Sequence, residues 1–283
     1  MEPLISVVIP TKDRNEQLRR AIKSILTQEF EEYEIIVVDD GGGTSKKIVE
    51  EFKSEKIRYF ETGGGKGASY ARNKGIENSR GKIISFLDDD DEFLPGKLKK
   101  TAEAFSSLPE DWAVAFSSYL KEKNGKISLR PSRRYLRKNL SGDIHNLILE
   151  KNFIATITAS VRKEYLEKVG GFDENLPRIN DWDLWIRLSR ICKFYFIKEP
   201  LAIQHVSKIS ISTNEEYNIL SHKLLFQKHW DDFMKNCRNS VFAYRLYLLG
   251  KSLIKKGKKK EGYEYIRKAR KIYPFNIRYW LVR

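Results

Sequence analysis

Apolar and polar positions fall into short blocks along the first ninety residues, and their periods predict strand and helix in turn. Leu4-Ile5-Ser6-Val7-Val8-Ile9, stopped by Pro10, has the near-continuous β-branched character of a buried strand. Leu18, Ala21, Ile22 and Ile25 then mark one face of a helix over Asn15–Leu26. A second strand, Glu34–Val38, runs into Asp39-Asp40-Gly41-Gly42-Gly43. A helix through Ile48 and Phe52, a strand at Ile57–Phe60, a Gly63-Gly64-Gly65 loop and a helix over Ala68–Asn78 come next. The apolar run Ile83–Leu87 ends in Asp88-Asp89-Asp90-Asp91. Repeated strand–helix–strand units predict an α/β fold with a mostly parallel sheet covered by helices on both faces. Right-handed crossovers then place Thr11, Asp39, Asp40 and Asp88–Asp91 along one edge of that sheet.

The pattern is less regular afterwards. A helix is expected over Leu98–Phe105, a strand over Ala113–Tyr119 and a polar hairpin turn at Lys121–Lys126. Arg130, Arg133, Arg134, Arg137 and Lys138 read as a basic loop over the site. Asn152–Val161 is strand-like, Lys163–Val169 helical, Gly170-Gly171 a break, Asp181–Arg190 helical and Phe194–Ile197 a strand. Phe242, Leu246, Leu249 and Leu253 face Tyr265, Ile266, Ala269 and Ile272 in a C-terminal helical hairpin, with Lys255–Lys260 as its turn and Pro274 as its stop.

Charge changes this picture at one end. The net charge is +15, yet Phe233–Arg283 alone carries fifteen Lys or Arg against two Glu, leaving the rest nearly neutral. Such a segment predicts contact with an anionic surface: membrane, phosphorylated substrate or nucleic acid. Length and the 41% hydrophobic content suit one large or two small domains. No apolar run approaches the roughly 18 residues needed to span a bilayer. Met1–Pro10 has no basic leader region, and Cys192 and Cys237 have no metal-ligand spacing. Free thiols in a reducing cytoplasm are the expectation.

The chemistry is concentrated in the four aspartates. Adjacent carboxylates repel one another, and a cation relieves that repulsion. Closely spaced carboxylate oxygens are hard ligands suited to Mg²⁺ or Mn²⁺, and open α/β sheets bind ligands beyond the carboxyl ends of their strands.

Six segments, in order, resemble the family 2 glycosyltransferases: Ser6–Arg14, Val37–Gly41, Gly67–Gly75, Phe86–Asp91 with Leu94-Pro95, Gly170–Glu174 and Asp181–Leu188. The resemblance covers roughly residues 4–205. It implies a GT-A fold in one domain over 1–232, with a nucleotide-binding half to about residue 100 and an acceptor-binding half over about 101–215. Residues 233–283 would form a basic helical tail. It further implies inverting transfer from a nucleotide sugar, by default a UDP-sugar, to a hydroxyl of a glycan or lipid-linked acceptor, as in polysaccharide biosynthesis.

Carried over by position, Thr11, Asp40 and Arg72 would contact the base, and Asp88 would lie near the ribose, with Pro10, Asp39 and Asp89 in the same nucleotide set. Asp90 would be the metal ligand of a divalent cation, Mn²⁺ or Mg²⁺, and Asp181 the catalytic base. His205 is a further candidate ligand, and Trp182, Asp183 and Trp185 are acceptor-side candidates. The chain departs from the family pattern at Asn180, where Glu is usual, at Gly42 in place of Ser, and in the additional carboxylate of Asp89.

Each role has a plainer counterpart. Asp181 would also cap its helix, Asp39 and Asp40 would cap their turn, Arg72 would serve in a surface ion pair, and one of Trp182 and Trp185 belongs to the core. Gly63–Gly65 is either a flexible turn or a phosphate loop. Two other function classes compete. A sugar nucleotidyltransferase would need a Gly-rich loop with Arg and Lys after the first strand, where this chain has Pro10-Thr11-Lys12-Asp13. A nucleic-acid-binding protein would need a recognised motif, and the acidic edge would repel its ligand, so no nucleic-acid partner is expected. The expected location is cytoplasmic, with peripheral attachment to the membrane face through the basic tail.

Overall fold

A computed structural model describes residues 2–206 and 215–282. The chain divides into two compact units. The first comprises residues 1–144, 153–174 and 180–210, and the second 145–152, 175–179 and 211–283.

In the first unit, β1 (Ile5–Thr11), α1 (Asn15–Leu26), β2 (Tyr33–Asp39), α2 (Ser45–Glu51), β3 (Ile57–Glu61), α3 (Ala68–Asn78) and β4 (Ile83–Phe86) follow the predicted alternation. Next come β5 (Glu92–Phe93), α4 (Lys97–Ser107), the hairpin of β6 (Trp112–Lys123) and β7 (Lys126–Arg130), and the short α5 (Arg133–Leu136). The second unit takes α6 (His145–Glu150), and the first resumes with β8 (Ala159–Arg162), α7 (Lys163–Val169), α8 (Asn180–Ser189) and β9 (Lys193–Val206).

The strands form one sheet in the order β3-β2-β1-β4-β8-β6-β9-β5, with β7 beside β6. Its first four strands are parallel, β8 runs against both neighbours, and β6 and β9 are parallel again. Every residue of β1 and β2 is buried, as expected for parallel strands covered on both faces.

Three expectations change. The strand-like run before residue 159 is largely irregular: Thr158 donates both its N–H and its hydroxyl to the Ala155 carbonyl, closing a 3-10 turn that leaves only Ala159–Arg162 in the sheet. The basic run from Arg130 holds the helical turn α5, where the Tyr135 ring packs 5.5 Å from that of Phe153. β9 continues well past Ile197, through a register irregularity at Pro200 that excuses the missing proline N–H.

The second unit is helical, with α9 (Glu215–Lys228), α10 (Trp230–Asn236), α11 (Asn239–Lys255) and α12 (Lys259–Ile272) following α6. Phe226, Phe233 and Phe242 form its aromatic centre, with ring centroids 4.9–5.6 Å apart. The α11–α12 hairpin closes at Gly250 and Gly262: a Cβ on either would lie 2.6 Å from the other's carbonyl oxygen, so only glycine permits this approach. No helix among the described residues is long and apolar enough to cross a membrane.

Lys97, the first residue of α4, is fully buried. Its Nζ donates to the Thr158 carbonyl at 2.8 Å and to Ser160 Oγ at 3.4 Å. Burial pushes this amine down to about 7, so above that pH the folded chain carries it neutral while the unfolded chain still binds its proton. Stability should therefore rise with pH between about 7 and 10, by on the order of 1 kcal/mol per pH unit. Urea unfolding at pH 7, 8 and 9 checks this: wild type should gain on Lys97→Met as pH rises, whereas parallel pH curves would contradict it.

Candidate active site

β1 is hydrogen-bonded to β2 on one side and β4 on the other, both in parallel register, so three strand ends with polar residues meet. Thr11 stands opposite Asp39, and the Asp40 N–H donates to the Thr11 carbonyl at 2.8 Å. Pro10 is buried opposite Val38, within the sheet.

Beyond β4 the chain makes a tight turn, closed by the Asp91 N–H donating to the Asp88 carbonyl at 3.1 Å, and this turn separates the four aspartates. Asp88 and Asp90 are half-buried, and Asp89 and Asp91 are buried. Asp89 accepts from Thr11 Oγ1 at 2.9 Å and from Arg14 Nη1 at 3.0 Å. Burial pushes its carboxyl up to about 6 against the pull of Arg14 and Thr11. Asp91 accepts the backbone N–H of His205 at 2.8 Å, and burial, then the charges of Asp88 and Asp90, hold it well above the usual carboxylate range. Asp89, placed in the nucleotide set by position, is thus turned inward to fix the strand end.

The two half-buried carboxylates, Asp88 and Asp90, are each held by an arginine. Arg72 Nη2 donates to Asp88 at 2.5 Å, its guanidinium lies 5.3 Å from the Phe172 ring centroid, and its buried Nε has no hydrogen-bond partner. Arg14 Nη1 bridges from Asp89 to Asp90 Oδ2 at 2.9 Å, and Arg20 Nη2 donates to the Asp90 carbonyl at 2.6 Å. Burial and then Asp88 raise the proton affinity of Asp90. A cation would relieve this, and in the structure Arg14 supplies the nearest positive charge.

The donor set fits a divalent ion of a particular kind. Among the described residues no three His, Cys, Asp or Glu side chains converge as a cage. Two hard carboxylates suit an ion that takes its remaining ligands from substrate phosphate and water, the usual manner of Mg²⁺. His205 is already engaged: Nδ1 lies 2.6 Å from Glu122 and Nε2 2.7 Å from Glu92. Ligation by its ring would have to break one of those contacts.

Asp39 and Asp40 do different work. Asp39 accepts from the Gly41 N–H at 2.7 Å, the Ser45 N–H at 3.4 Å and the Tyr59 hydroxyl at 2.9 Å, which closes the turn after β2. Asp40 accepts from Thr62 Oγ1 at 2.5 Å and from the Lys66 and Gly67 N–H groups, both at 2.8 Å. Burial alone would push Asp40 up; the donors from Thr62, Gly67 and Lys66, with the Lys12 charge, outweigh it and lower the carboxyl. The glycine loop therefore already wraps an anion, and that anion is Asp40.

Asp181 lies in the first turn of α8, half-buried, its Oδ1 accepting the Trp182 N–H at 2.8 Å. Asn180 Nδ2 donates to Ser69 Oγ at 2.7 Å, joining the start of α8 to the start of the helix that carries Arg72. A glutamate here, the usual residue in the resembled motif, has no N–H to give. The phenol of Tyr119 is pushed up by burial first and, against Arg130, by the charges of Asp181 and Asp91.

Trp182 and Trp185 are both buried, and Trp185 Nε1 donates to the Ile154 carbonyl at 3.1 Å. Asp183 is buried against Arg187, which in turn donates to the Val169 and Gly171 carbonyls. Neither of these two indoles is open for stacking on a sugar, and Asp183 is enclosed as well, which corrects the expectation that they face an acceptor. Sequence reasoning gave no role to Arg14, Arg20, Thr62 and Tyr59; Arg14 was visible only as part of Lys12-Asp13-Arg14, and charge pairing across 75 positions has no local signal.

A model of glycosyl transferase family 2 matches residues 6–170. A Rickettsia bellii protein described as an uncharacterized glycosyltransferase is 32% identical over 86% of this chain, which spans 36% of that relative's length. A Campylobacter jejuni GalNAc(5)-diNAcBac-PP-undecaprenol beta-1,3-glucosyltransferase is 32% identical over 69% of this chain and 63% of its own. Among solved structures, Staphylococcus aureus TarS 1–349 in complex with UDP-GlcNAc superimposes with a TM-score of 0.64 at 15% identity, over 100% of this chain and 76% of that one. The mannosyltransferase PcManGT from Pyrobaculum calidifontis, in complex with GDP-Man and Mn²⁺, gives 0.64 at 14% identity over 95% and 75%. The mixed α/β sheet with flanking helices is the fold of these proteins.

Replacing Asp39 with Ala should strand two backbone N–H groups and a phenol. The expected loss is about 1–3 kcal/mol of stability by urea unfolding. Unchanged stability with collapsed nucleotide affinity would instead make Asp39 chiefly a ligand contact.

Proposed function

The chain belongs to glycosyl transferase family 2, and on that footing we propose that it moves a sugar, with inversion, from a nucleoside diphosphate to an acceptor hydroxyl. The observation that carries this reading is the Asn180–Ser69 hydrogen bond, which joins the start of α8, with Asp181, to the start of α3, whose Arg72 holds Asp88. Arg72, Thr11 and the turn of Asp39 and Asp40 would border the nucleotide. TarS bound to UDP-GlcNAc and PcManGT bound to GDP-Man make such a donor reasonable, with a UDP-sugar as the preferred choice.

A divalent cation held by Asp90, with Asp88 beside it, would supply charge neutralisation for the departing diphosphate. Mn²⁺ in the PcManGT complex favours that assignment. The chain's own residues do the rest. Asp181 accepts the proton of the acceptor hydroxyl as its oxygen bonds to the anomeric carbon, and the bond from that carbon to the diphosphate oxygen breaks. A single base opposite the leaving group gives inversion. The helix start under Asp181 favours its negative charge. The Campylobacter relative's name describes a lipid-linked sugar, and a glycan or lipid-linked hydroxyl, met at the cytoplasmic membrane face, is the acceptor we assign.

Asp181→Asn keeps the size and capping ability of the side chain and removes the base. Transfer should fall by roughly 10²–10⁴-fold while nucleotide affinity, measured by calorimetry, is unchanged. Equal loss of donor binding and transfer would return Asp181 to a purely structural role.

A further inference from the structure

The second unit presents apolar side chains to solvent in a segment whose charge is entirely basic. After α12, Phe275 is 85%, Ile277 70%, Trp280 57% and Leu281 71% exposed. Residues 265–283 contain six Lys or Arg and no acidic residue, and Arg267, Lys268, Lys271 and Arg278 are all exposed.

This segment is shaped rather than loose. Tyr279 is fully buried, its ring 5.0 Å from that of Tyr247 on α11. Asn276 accepts the Arg278 N–H, Arg270 Nε donates to the Tyr279 carbonyl at 2.9 Å, and Trp280 Nε1 donates to the Pro274 carbonyl at 3.0 Å. Arg270 also stacks 4.8 Å from the Trp280 ring centroid. Tyr279 therefore pins the turn inward, and Ile277, Trp280 and Leu281 project from it in a fixed arrangement that costs little further ordering on contact.

We propose that this turn is an interfacial anchor for an anionic lipid surface. Exposed aliphatic and aromatic side chains enter the headgroup boundary, tryptophan settles at that depth, and surrounding Lys and Arg are drawn to anionic headgroups. A second copy of the chain fits less well, since each face would bring the same positive charge to the other. The inference rests on the proposed function for its purpose, because a transferase with a lipid-linked acceptor must find that acceptor at a membrane. Its test needs neither donor nor acceptor, so failure here leaves the transferase reading intact, and failed transfer leaves this anchor intact.

The full chain is mixed with phosphatidylcholine vesicles containing or lacking phosphatidylglycerol, at low and high salt, and sedimented. Binding should require phosphatidylglycerol and weaken with salt. The triple variant Phe275→Ser, Ile277→Ser, Leu281→Ser, altered only at exposed positions, should bind at least roughly tenfold more weakly. Brominated lipid should quench tryptophan fluorescence in wild type, and Trp280→Phe should abolish most of that quenching. Absence of binding, equal binding by the triple variant, or quenching untouched by Trp280→Phe would overturn the anchor. A self-association in sedimentation velocity that the triple variant dissolves would assign the turn to a second copy and overturn it equally.

Discussion

Packing several carboxylates at the ends of parallel strands is the constraint around which the first unit is built. Like charges in a half-buried place repel each other, and each must be neutralised or supplied with donors. The chain solves this with residues remote in sequence. Arg72 takes Asp88, Arg14 spans Asp89 and Asp90, and the His205 backbone takes Asp91. Thr11 at the end of β1 completes the set around Asp89. The two buried carboxylates fix the strand end, and the two half-buried ones are held by arginines, Asp88 by Arg72 and Asp90 by Arg14.

The turn after β2 follows the same logic with backbone donors. Asp39 collects the amides of its own turn, and Asp40 collects those of the glycine loop. Positive φ at Gly63, Gly64, Gly65 and Gly67 lets the loop curl around that carboxylate. This edge of the sheet is therefore held by internal anions, and the buried Arg72 guanidinium, paired with Asp88 through Nη2, keeps a buried Nε without a partner. The hydrogen bond between Asn180 and Ser69 ties the start of α3 to the start of α8, beside Asp181.

Much of this was legible in sequence because the first half is buried on both faces of a parallel sheet. Runs such as Val7-Val8-Ile9 and Ile35-Ile36-Val37-Val38 have few alternatives there, and crossover handedness then fixes which strand ends meet. The helices α9 and α10 escaped notice because their buried positions, Ile219, Ser221, Leu225, Phe226 and Phe233, mix a serine with widely spaced apolar residues. Enclosure of both Trp182 and Trp185, where the core was expected to take one, was not legible for a related reason: an i, i+3 pair of indoles reads the same whether one ring or both are enclosed. The inward turn of Asp89 and Asp91 was beyond local reading, since it depends on Thr11, Arg14 and His205 arriving from three other elements.

The central claim is that Asp90 holds a cation which the nucleotide diphosphate completes. Calorimetric titration of UDP into wild type and Asp90→Asn, each with Mn²⁺ and with chelator, addresses it directly. The account predicts that Mn²⁺ strengthens binding to wild type, that Asp90→Asn loses this gain, and that the two proteins bind similarly in chelator. An equal gain from Mn²⁺ in both proteins would contradict it.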